Sequence, residues 1–179
     1  MNFELRVYEL ETEQRWNFLQ WFEREVPGAV ARFISFRDDN TFVALHESGS
    51  AVPVAPGMVR KLTVRRLTAE AFEAARVAAL PVIELRLYRI APGMRERFGK
   101  FFNERTLEAQ ERSGMSVCGQ LDDLDDENLF VWLRGFPGLL ERDRRKADFY
   151  QSAYWLEELQ DEAFSMIEDY SNVLLLTPV

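Results

Sequence analysis

The chain has 179 residues, of which 47% are hydrophobic and 29% charged, so it can bury one core or two small cores that share an interface. The net charge of −8 disfavours nucleic acid as a partner, because a phosphate polyanion would be repelled. No apolar run approaches the roughly 20 residues of a membrane helix, and the first residues lack a signal-peptide layout. With a single cysteine, Cys118, an internal disulfide is excluded, and we expect a cytoplasmic protein.

A strand pattern opens the chain, FELRVYEL at residues 3–10. A helix follows, for which Thr12 is the expected N-cap, and a hairpin comes next with strands near 31–36 and 41–47. The link 48–57 contains Pro and Gly and leaves no room for a second helix. The strand-like segment MVRKLTVRRL then completes this first half of the chain.

The same strand pattern returns as IELRLYRI at residues 83–90, after an expected linking helix over 68–80. A helix follows the strand, and Phe18 precedes Phe98 by the same eighty positions that separate the two strands. The repeat therefore extends from the strand into the helix. The remaining elements are two hairpin strands, a long helical region and a last strand, near 115–121, 128–134, 137–169 and 172–177.

Two helices of the second half show apolar faces with the period of an α-helix. On the first helix, this face comprises Met94, Phe98, Phe101, Phe102, Arg105 and Ala109. On the second helix, it comprises Leu156, Leu159, Ala163, Met166 and Tyr170.

The order of elements predicts an α+β fold built from two ferredoxin-like units, the first lacking its second helix. The truncated unit spans 1–67, a helical linker 68–81, and the complete unit 82–179. The two sheets are expected to pack face to face as a dimeric α+β barrel within one chain. Part of the first sheet's outer face then lacks its cover, which the linker, another subunit or a ligand must supply.

The second half contains four motifs in order, IELRLYRIAPG, FVWLRGFP, DFY-x-S-x-x-W and SNVLLLTP. Over nearly all of 82–179 these motifs resemble the NIPSNAP family of the dimeric α/β barrel superfamily, whereas the first half matches only through its first strand, helix and hairpin. The resemblance implies a fold more than an activity. The superfamily includes cofactor-free monooxygenases, haem-degrading or haem-binding enzymes, isomerases and stress-response proteins, and NIPSNAP proteins have no agreed catalytic residues to carry over.

Polar side chains alternate with aliphatic ones along two strands expected to be central neighbours in the second sheet. The ligand-binding candidates on their shared face are Glu84, Arg86, Tyr88, Trp132 and Arg134. This set could bind a carboxylate or polarise a carbonyl, with Tyr88 as donor and Trp132 as an apolar wall. The interpretation that we prefer from the residue types is a buried Glu–Arg–Tyr network joining the two sheets of the barrel.

Secondary candidates are His46, Tyr150, Tyr154 and Trp155. His46 is the only histidine and could be a general base or a haem ligand, but Arg134 occupies the matching place in the second half, which favours a structural role. The aromatic residues follow a basic segment and could receive an anionic aromatic ligand at a cleft mouth. This segment contains Arg142, Arg144, Arg145 and Lys146. Helix surface followed by helix core is the alternative.

Three further features predict no site. The acidic turn at 122–127 lacks the ligand spacing and the Gly of a calcium loop. Cys118 has no neighbouring base to form a thiolate, so we expect it to be inert. The third feature is a basic strand face, Arg60, Lys61, Arg65 and Arg66. We expect no metal and no cofactor.

The sequence favours a barrel that binds a small apolar or aromatic molecule without strong catalysis, and that forms a homo-oligomer. One alternative is a cofactor-independent monooxygenase or isomerase with a cleft between sheet and helices. Another is an oligomeric interaction module. A cavity with converging polar groups would favour the binding protein or the enzyme, whereas a filled interior would favour the module.

Overall fold

A computed structural model of the chain describes residues 1–53 and 57–179. The strands in this part are β1 (Asn2–Leu10), β2 (Ala31–Ser35), β3 (Thr41–Glu47), β4 (Val59–Thr68), β5 (Val82–Ile90), β6 (Ser116–Asp123), β7 (Leu129–Phe136), β8 (Ile167–Asp169) and β9 (Val173–Pro178). The helices are α1 (Arg15–Glu25), α2 (Ala74–Ala78), α3 (Arg95–Phe101), α4 (Leu107–Arg112), α5 (Leu139–Tyr150) and α6 (Gln160–Met166). Two π-helical segments, Phe102–Thr106 and Tyr154–Leu159, precede α4 and α6.

Eight of these strands close into an antiparallel barrel, in the order β1-β3-β2-β9-β5-β7-β6-β4 and back to β1. Strands β1 to β4 form the first half, and β5, β6, β7 and β9 form the second. The halves meet at two seams, where Ile34 of β2 lies opposite Thr177 of β9 and Leu67 of β4 lies opposite Asp123 of β6. The predicted barrel of two sheets from one chain is confirmed.

The first and third strands of each half are hydrogen-bonded neighbours. Glu4 of β1 lies opposite His46 of β3, and Glu84 of β5 lies opposite Arg134 of β7. Because side chains alternate between the two faces of a strand, each half presents its Glu, Arg and Tyr on one face of the sheet.

Apolar side chains fill the barrel interior, among them Phe3, Leu5, Phe33, Val43, Leu45, Leu85, Val131, Leu133 and Leu176. A second apolar layer lies outside the barrel, between the sheets and the helices. Helix α1 covers the first half with Phe18, Trp21 and Phe22. The second half is covered by α3 to α6 and both π-helical segments. None of the helices in residues 1–53 and 57–179 has the length and apolarity needed to cross a bilayer.

Three local expectations need correction or restriction. Helix α1 has Gln14 and not Thr12 as its N-cap residue, because the chain reverses at Glu13, whose φ is 67°. The linking helix is limited to α2, since Phe72 forms a β-bridge with Gly119 instead of continuing a helix. Residues 48–53 form no helix, and residues 54–56 of the predicted helix-free link lie outside the described residues.

The first π-helical segment changes which side chains of its helix are buried. A π turn holds more residues than an α turn, so every later side chain is rotated relative to an α-helix. Thr106 is buried and donates a hydrogen bond to the carbonyl oxygen of Phe101 at 3.2 Å, a five-residue spacing. Arg105, which the α-helical period placed on the apolar face, is instead 37% exposed.

The second π-helical segment has a similar effect on the long helical region. Leu159, Ala163 and Met166 are buried as predicted, but Leu156 is 51% exposed and Tyr170 is 52% exposed. The helix ends at Met166 rather than near 169, because β8 begins at the next residue and pairs with the end of β5.

Candidate functional site

The Glu, Arg and Tyr of the second half lie between the sheet and its helices. Glu84 and Arg134 are fully buried and Arg86 nearly so. The expectation that these groups join the two sheets across the barrel is wrong, because the aliphatic residues Ile83 and Leu85 occupy the barrel interior.

Four cationic side chains converge on the carboxylate of Glu84. Its Oε2 accepts hydrogen bonds from Arg134 Nε at 2.7 Å and from Arg86 Nη1 at 2.5 Å. Its Oε1 accepts from Arg142 Nε at 2.6 Å and from Lys146 Nζ at 3.3 Å. Burial opposes ionisation of this carboxyl, but the four positive charges outweigh it and lower the pKa of Glu84 far below its ordinary value.

Two tyrosines extend this network, and their pKa values are shifted in opposite directions. Tyr88 accepts a hydrogen bond from Arg86 Nε at 2.7 Å, and burial raises the pKa of Tyr88 to about 12, so its phenol stays neutral. Tyr150 accepts from Arg134 Nη1 at 3.1 Å. Burial opposes ionisation of Tyr150 as well, but the charges of Arg134 and Arg86 outweigh it, and the pKa of Tyr150 is lowered. Tyr88 is therefore a proton donor for hydrogen bonding, and Tyr150 is the phenol that loses its proton more readily.

A cavity of about 380 Å³ adjoins the network between the sheet and the helices. Its polar lining includes Arg86, Tyr88, Gln110, Lys146 and Tyr150, and its aromatic lining includes Phe98, Phe101, Phe102, Trp132, Phe149 and Trp155. Both π-helical segments contribute lining residues, as π-helical segments frequently do at functional sites. We call this cavity the aromatic chamber; its size lies within the usual range for small-molecule sites.

A second cavity of about 410 Å³ adjoins the aromatic chamber and shares Arg86, Lys146 and Tyr170 with it. It is also lined by Arg142 and by Arg37, which comes from the turn after β2. No carboxylate of the described residues lines this cavity, which we call the cationic chamber. The first half of the barrel thus contributes a charged side chain to the opening of a cleft in the second half.

Positive charge exceeds negative charge in this cleft, although the whole chain carries a net charge of −8. Glu84 is one carboxylate shared by four cations. A second carboxylate, Asp143, accepts from Arg142 Nη1 at 2.7 Å, but it is 71% exposed. Charges that are partly withdrawn from water interact more strongly than surface charges, so the cleft favours an anion despite the global field.

The secondary candidates separate into residues inside and outside the cleft. Tyr150 and Trp155 line the aromatic chamber. Tyr154 lines neither chamber, and its hydroxyl donates to the carbonyl oxygen of Arg105 at 3.2 Å near the surface. His46 lies opposite Glu4 in the first half, and burial lowers its pKa, which keeps it neutral.

Sequence reasoning missed several side chains of the cleft, among them Gln110 and Arg37. Gln110 accepts from Arg134 Nη1 at 2.8 Å, but it follows a π-helical segment that a regular helical period does not reveal. Arg37 belongs to the other half of the barrel. Arg142 and Lys146 stood out only as basic residues before aromatic ones, although their four-residue spacing on α5 was a usable signal that they share a helix face.

The basic strand face, the acidic turn and Cys118, at which we expected no site, have structural surroundings. Arg65 pairs with Asp123 at 3.1 Å, and Arg66 pairs with Asp125, so the basic strand face and the acidic turn meet at the seam of β4 and β6. Cys118 is buried, and this burial raises its pKa to about 12. A thiol with such a pKa is a poor nucleophile near neutrality.

Comparison with models of protein families shows to which family the chain belongs. The family model of NIPSNAP matches residues 83–179, more than half of the sequence. The chain belongs to the NIPSNAP family. Among curated proteins, none matches this sequence.

Solved structures with this fold include NIPSNAP proteins and enzymes. A NIPSNAP family protein from Agrobacterium tumefaciens superposes with a TM-score of 0.51 at 19% identity, over 55% of this chain and 92% of its own. A proposed monooxygenase from Fusobacterium nucleatum superposes with a TM-score of 0.70 at 10% identity, over 99% of this chain and 91% of its own. A heme-degrading enzyme from Listeria monocytogenes superposes with a TM-score of 0.57 at 11% identity, over 97% of this chain and 98% of its own. Identities this low show the shared fold alone.

Proposed function

We propose that this NIPSNAP protein binds a small organic anion whose body is aromatic or apolar. The anionic group lies against Arg86 and Lys146, and the body occupies the aromatic chamber. The observation that carries this proposal is the convergence of four cations on the single buried carboxylate of Glu84, beside a cavity with aromatic walls.

Desolvated charges are the physical reason for preferring an anion. Removing a cation from water costs free energy that a partner of opposite charge must offset. Glu84 accepts hydrogen bonds from all four cations, so its one negative charge offsets only part of theirs. A carboxylate or phosphate near Arg86 and Lys146 would supply the missing negative charge.

Hydrogen-bond donors are also available to such a ligand. The neutral phenol of Tyr88 lines the aromatic chamber and can donate its proton. Trp132 lines the same chamber, and its buried Nε1 makes no hydrogen bond to any described residue. A buried donor without a partner is unfavourable, and a ligand acceptor would satisfy it.

Among the common protein ligands of haem iron, the described lining of the two chambers offers only tyrosine. Iron in haem proteins is most often held by histidine or by a cysteine thiolate, and in some by tyrosine. Among the described residues that line the two chambers, none is histidine or cysteine, and His46 lies on the first half of the barrel.

The test is a calorimetric titration of the purified protein with naphthoate and with neutral naphthalenemethanol. We expect naphthoate to bind with one site per chain and more tightly than the alcohol. Lys146→Met should weaken naphthoate binding about tenfold, the loss of one charge-assisted contact. Lys61→Met is the matched control, because Lys61 lies on β4, outside both chambers. Equal affinity for the acid and the alcohol, or no binding of either, would overturn the proposal.

A second candidate function, proton abstraction in an isomerase or a cofactor-independent monooxygenase, is favoured by the lowered pKa of Tyr150. Its phenolate would accept a proton from a carbon next to a carbonyl, and Arg86 would stabilise the resulting enolate. Both side chains line the aromatic chamber.

Deuterium uptake by acetophenone in heavy water, followed by NMR, tests this second function. We expect wild-type protein to accelerate the exchange, and Tyr150→Phe to lower the acceleration by on the order of a hundredfold. Tyr154→Phe is the matched control, because its hydroxyl lies outside the cleft. Exchange that is equally fast with both variants would exclude Tyr150 as the base.

We also infer that the chain consists of a first unit at 1–67, a linker at 68–81 and a second unit at 82–179. The two units are copies of one another. Support comes from the shared register that places Glu4 opposite His46 and Glu84 opposite Arg134. A homo-oligomer and a cytoplasmic location stay predictions.

A further inference from the structure

The cleft has a second chamber that a simple aromatic carboxylate would leave largely unused. We propose that the ligand carries a doubly charged head group, a phosphate monoester, which lies in the cationic chamber, and that Arg37 is a specificity-determining residue for it. This inference rests on the proposed function, because the apolar body of the same ligand occupies the aromatic chamber.

The charge of the cationic chamber is the first support. Arg37, Arg86, Arg142 and Lys146 line it, and no carboxylate of the described residues does. Three of these cations share Glu84, which lies behind the chamber wall. Arg37 forms no ion pair with any carboxylate of residues 1–53 and 57–179.

A phosphate monoester matches this set of donors better than a carboxylate does. It carries about two negative charges near neutrality and presents three acceptor oxygens. Guanidinium groups donate two parallel hydrogen bonds to such oxygens, which makes arginine a favoured phosphate ligand. Arg37 and Arg142 supply two guanidinium groups, and Ser171 adds a hydroxyl to the lining.

The backbone around Arg37 holds its position across the seam between the two halves. Phe36 N donates to the carbonyl oxygen of Leu175 in β9 at 2.8 Å. Arg37 N donates to Ser35 Oγ at 3.1 Å. The side chain of Arg37 therefore starts from an anchored point at the opening of the cleft, and its loss removes no internal ion pair.

Tyr170 belongs to the lining of both chambers. Its ring stacks on Phe164 at 5.4 Å between ring centroids and lies edge-on to Tyr88 at 6.4 Å. A ligand with its head at Arg37 and its body in the aromatic chamber would lie against this ring. An aryl or apolar alkyl phosphate has the required order of charged head and apolar body.

Calorimetric titration with naphthyl phosphate and naphthyl sulfate at about pH 8 tests the inference. Both probes have the same body and a tetrahedral head, but the phosphate is doubly charged at this pH because its second pKa is about 6. We expect the phosphate to bind about tenfold more tightly than the sulfate, the effect of added charge-assisted hydrogen bonds. Arg37→Met should reduce this ratio of affinities to near one. Arg24→Met is the control, since Arg24 lies on α1 and is 72% exposed.

The outcomes separate this inference from the proposed function. Equal affinities for both probes, or a ratio that survives Arg37→Met, would overturn the inference while naphthoate binding still supports an anion site. Failure of both probes and of naphthoate would overturn the two together. Displacement of naphthyl phosphate by inorganic phosphate at equal concentration would also contradict the inference, because the aromatic chamber would then contribute nothing.

Discussion

The two halves of the barrel present the same Glu, Arg and Tyr on their outer faces, in different surroundings. Glu4 is 28% exposed and, within the described part of the chain, pairs only with Arg6. Glu84 is fully buried and receives hydrogen bonds from Arg86, Arg134 and two side chains of α5. The strand motif is common to both halves, so the difference comes from what covers it. The second helical region supplies Arg142, Lys146 and part of the cavity wall.

The neighbouring strand adds to this difference. Opposite the glutamates lie His46 in the first half and Arg134 in the second, and opposite the arginines lie Ala44 and Trp132. The second half thus gains a buried guanidinium and a large aromatic wall where the first half has a neutral imidazole and a methyl group. A binding cleft is expected only where both the cover and the neighbouring strand differ in this way.

The largest loss of stability is expected when the buried carboxylate of Glu84 is removed. Glu84→Gln leaves the buried Arg86 and Arg134 without a counter-charge and should lower the free energy of unfolding by about 3–5 kcal/mol. The equivalent change Glu4→Gln, at a partly exposed pair, should cost less than about 1 kcal/mol. Urea denaturation of both variants measures the two values, and similar losses would contradict the difference between the halves.

The acid dependence of stability sharpens the same comparison. Because the pKa of Glu84 is lowered on folding, its contribution is present above its ordinary pKa of 4.5 and is lost as the pH falls towards its folded pKa. Wild-type protein should therefore lose more unfolding free energy than Glu84→Gln between about pH 5 and pH 3. Parallel curves for the two proteins would show that Glu84 is not stabilised as an anion.

A smaller pH effect is expected from the first half. Burial lowers the pKa of His46 below its ordinary value of 6.5, so the unfolded chain takes up its proton first as the pH falls. The contribution of His46 is present above this value and is lost at lower pH. His46→Gln should flatten the dependence of unfolding free energy between about pH 7.5 and pH 5.5, whereas an unchanged slope would place the imidazole in contact with water.

The smallest effect on the unfolding free energy is expected on the outer sheet face of the first half, which has no second helix to cover it. Val64 lies opposite Arg6 and is 45% exposed, so Val64→Thr should change the unfolding free energy by no more than about 0.5 kcal/mol. Val43→Thr, which places a hydroxyl in the barrel interior, should cost about 1–3 kcal/mol. A larger loss at Val64 that shrinks with protein dilution would show that another subunit covers this face.

Much of the fold was predictable because it depends on local periodicity. The alternation in FELRVYEL and IELRLYRI located β1 and β5, and the turn residues located both hairpins. The two π-helical segments were not predictable in this way. They depend on how a helix packs on the sheet, and one of them buries Thr106 where a regular period placed Arg105.

The candidate site was partly readable for the same reason. Strand alternation was sufficient to group Glu84, Arg86 and Arg134 on one face. It could not show that this face lies under helices rather than inside the barrel, since both are apolar surroundings. The position of Arg37 could not be predicted from the sequence, because it depends on the seam between β2 and β9.

Fluorine NMR of fluorotryptophan-labelled protein during a naphthoate titration tests the central claim most directly. The chain has four tryptophans, and they report on both halves: Trp132 and Trp155 line the aromatic chamber, whereas Trp16 and Trp21 belong to the first half. Single Trp→Phe variants assign the signals. We predict that the two chamber signals shift together and saturate while the other two stay in place. A shift of the Trp16 or Trp21 signals instead, or no shift at all, would contradict an anion-binding cleft under the helices of the second half.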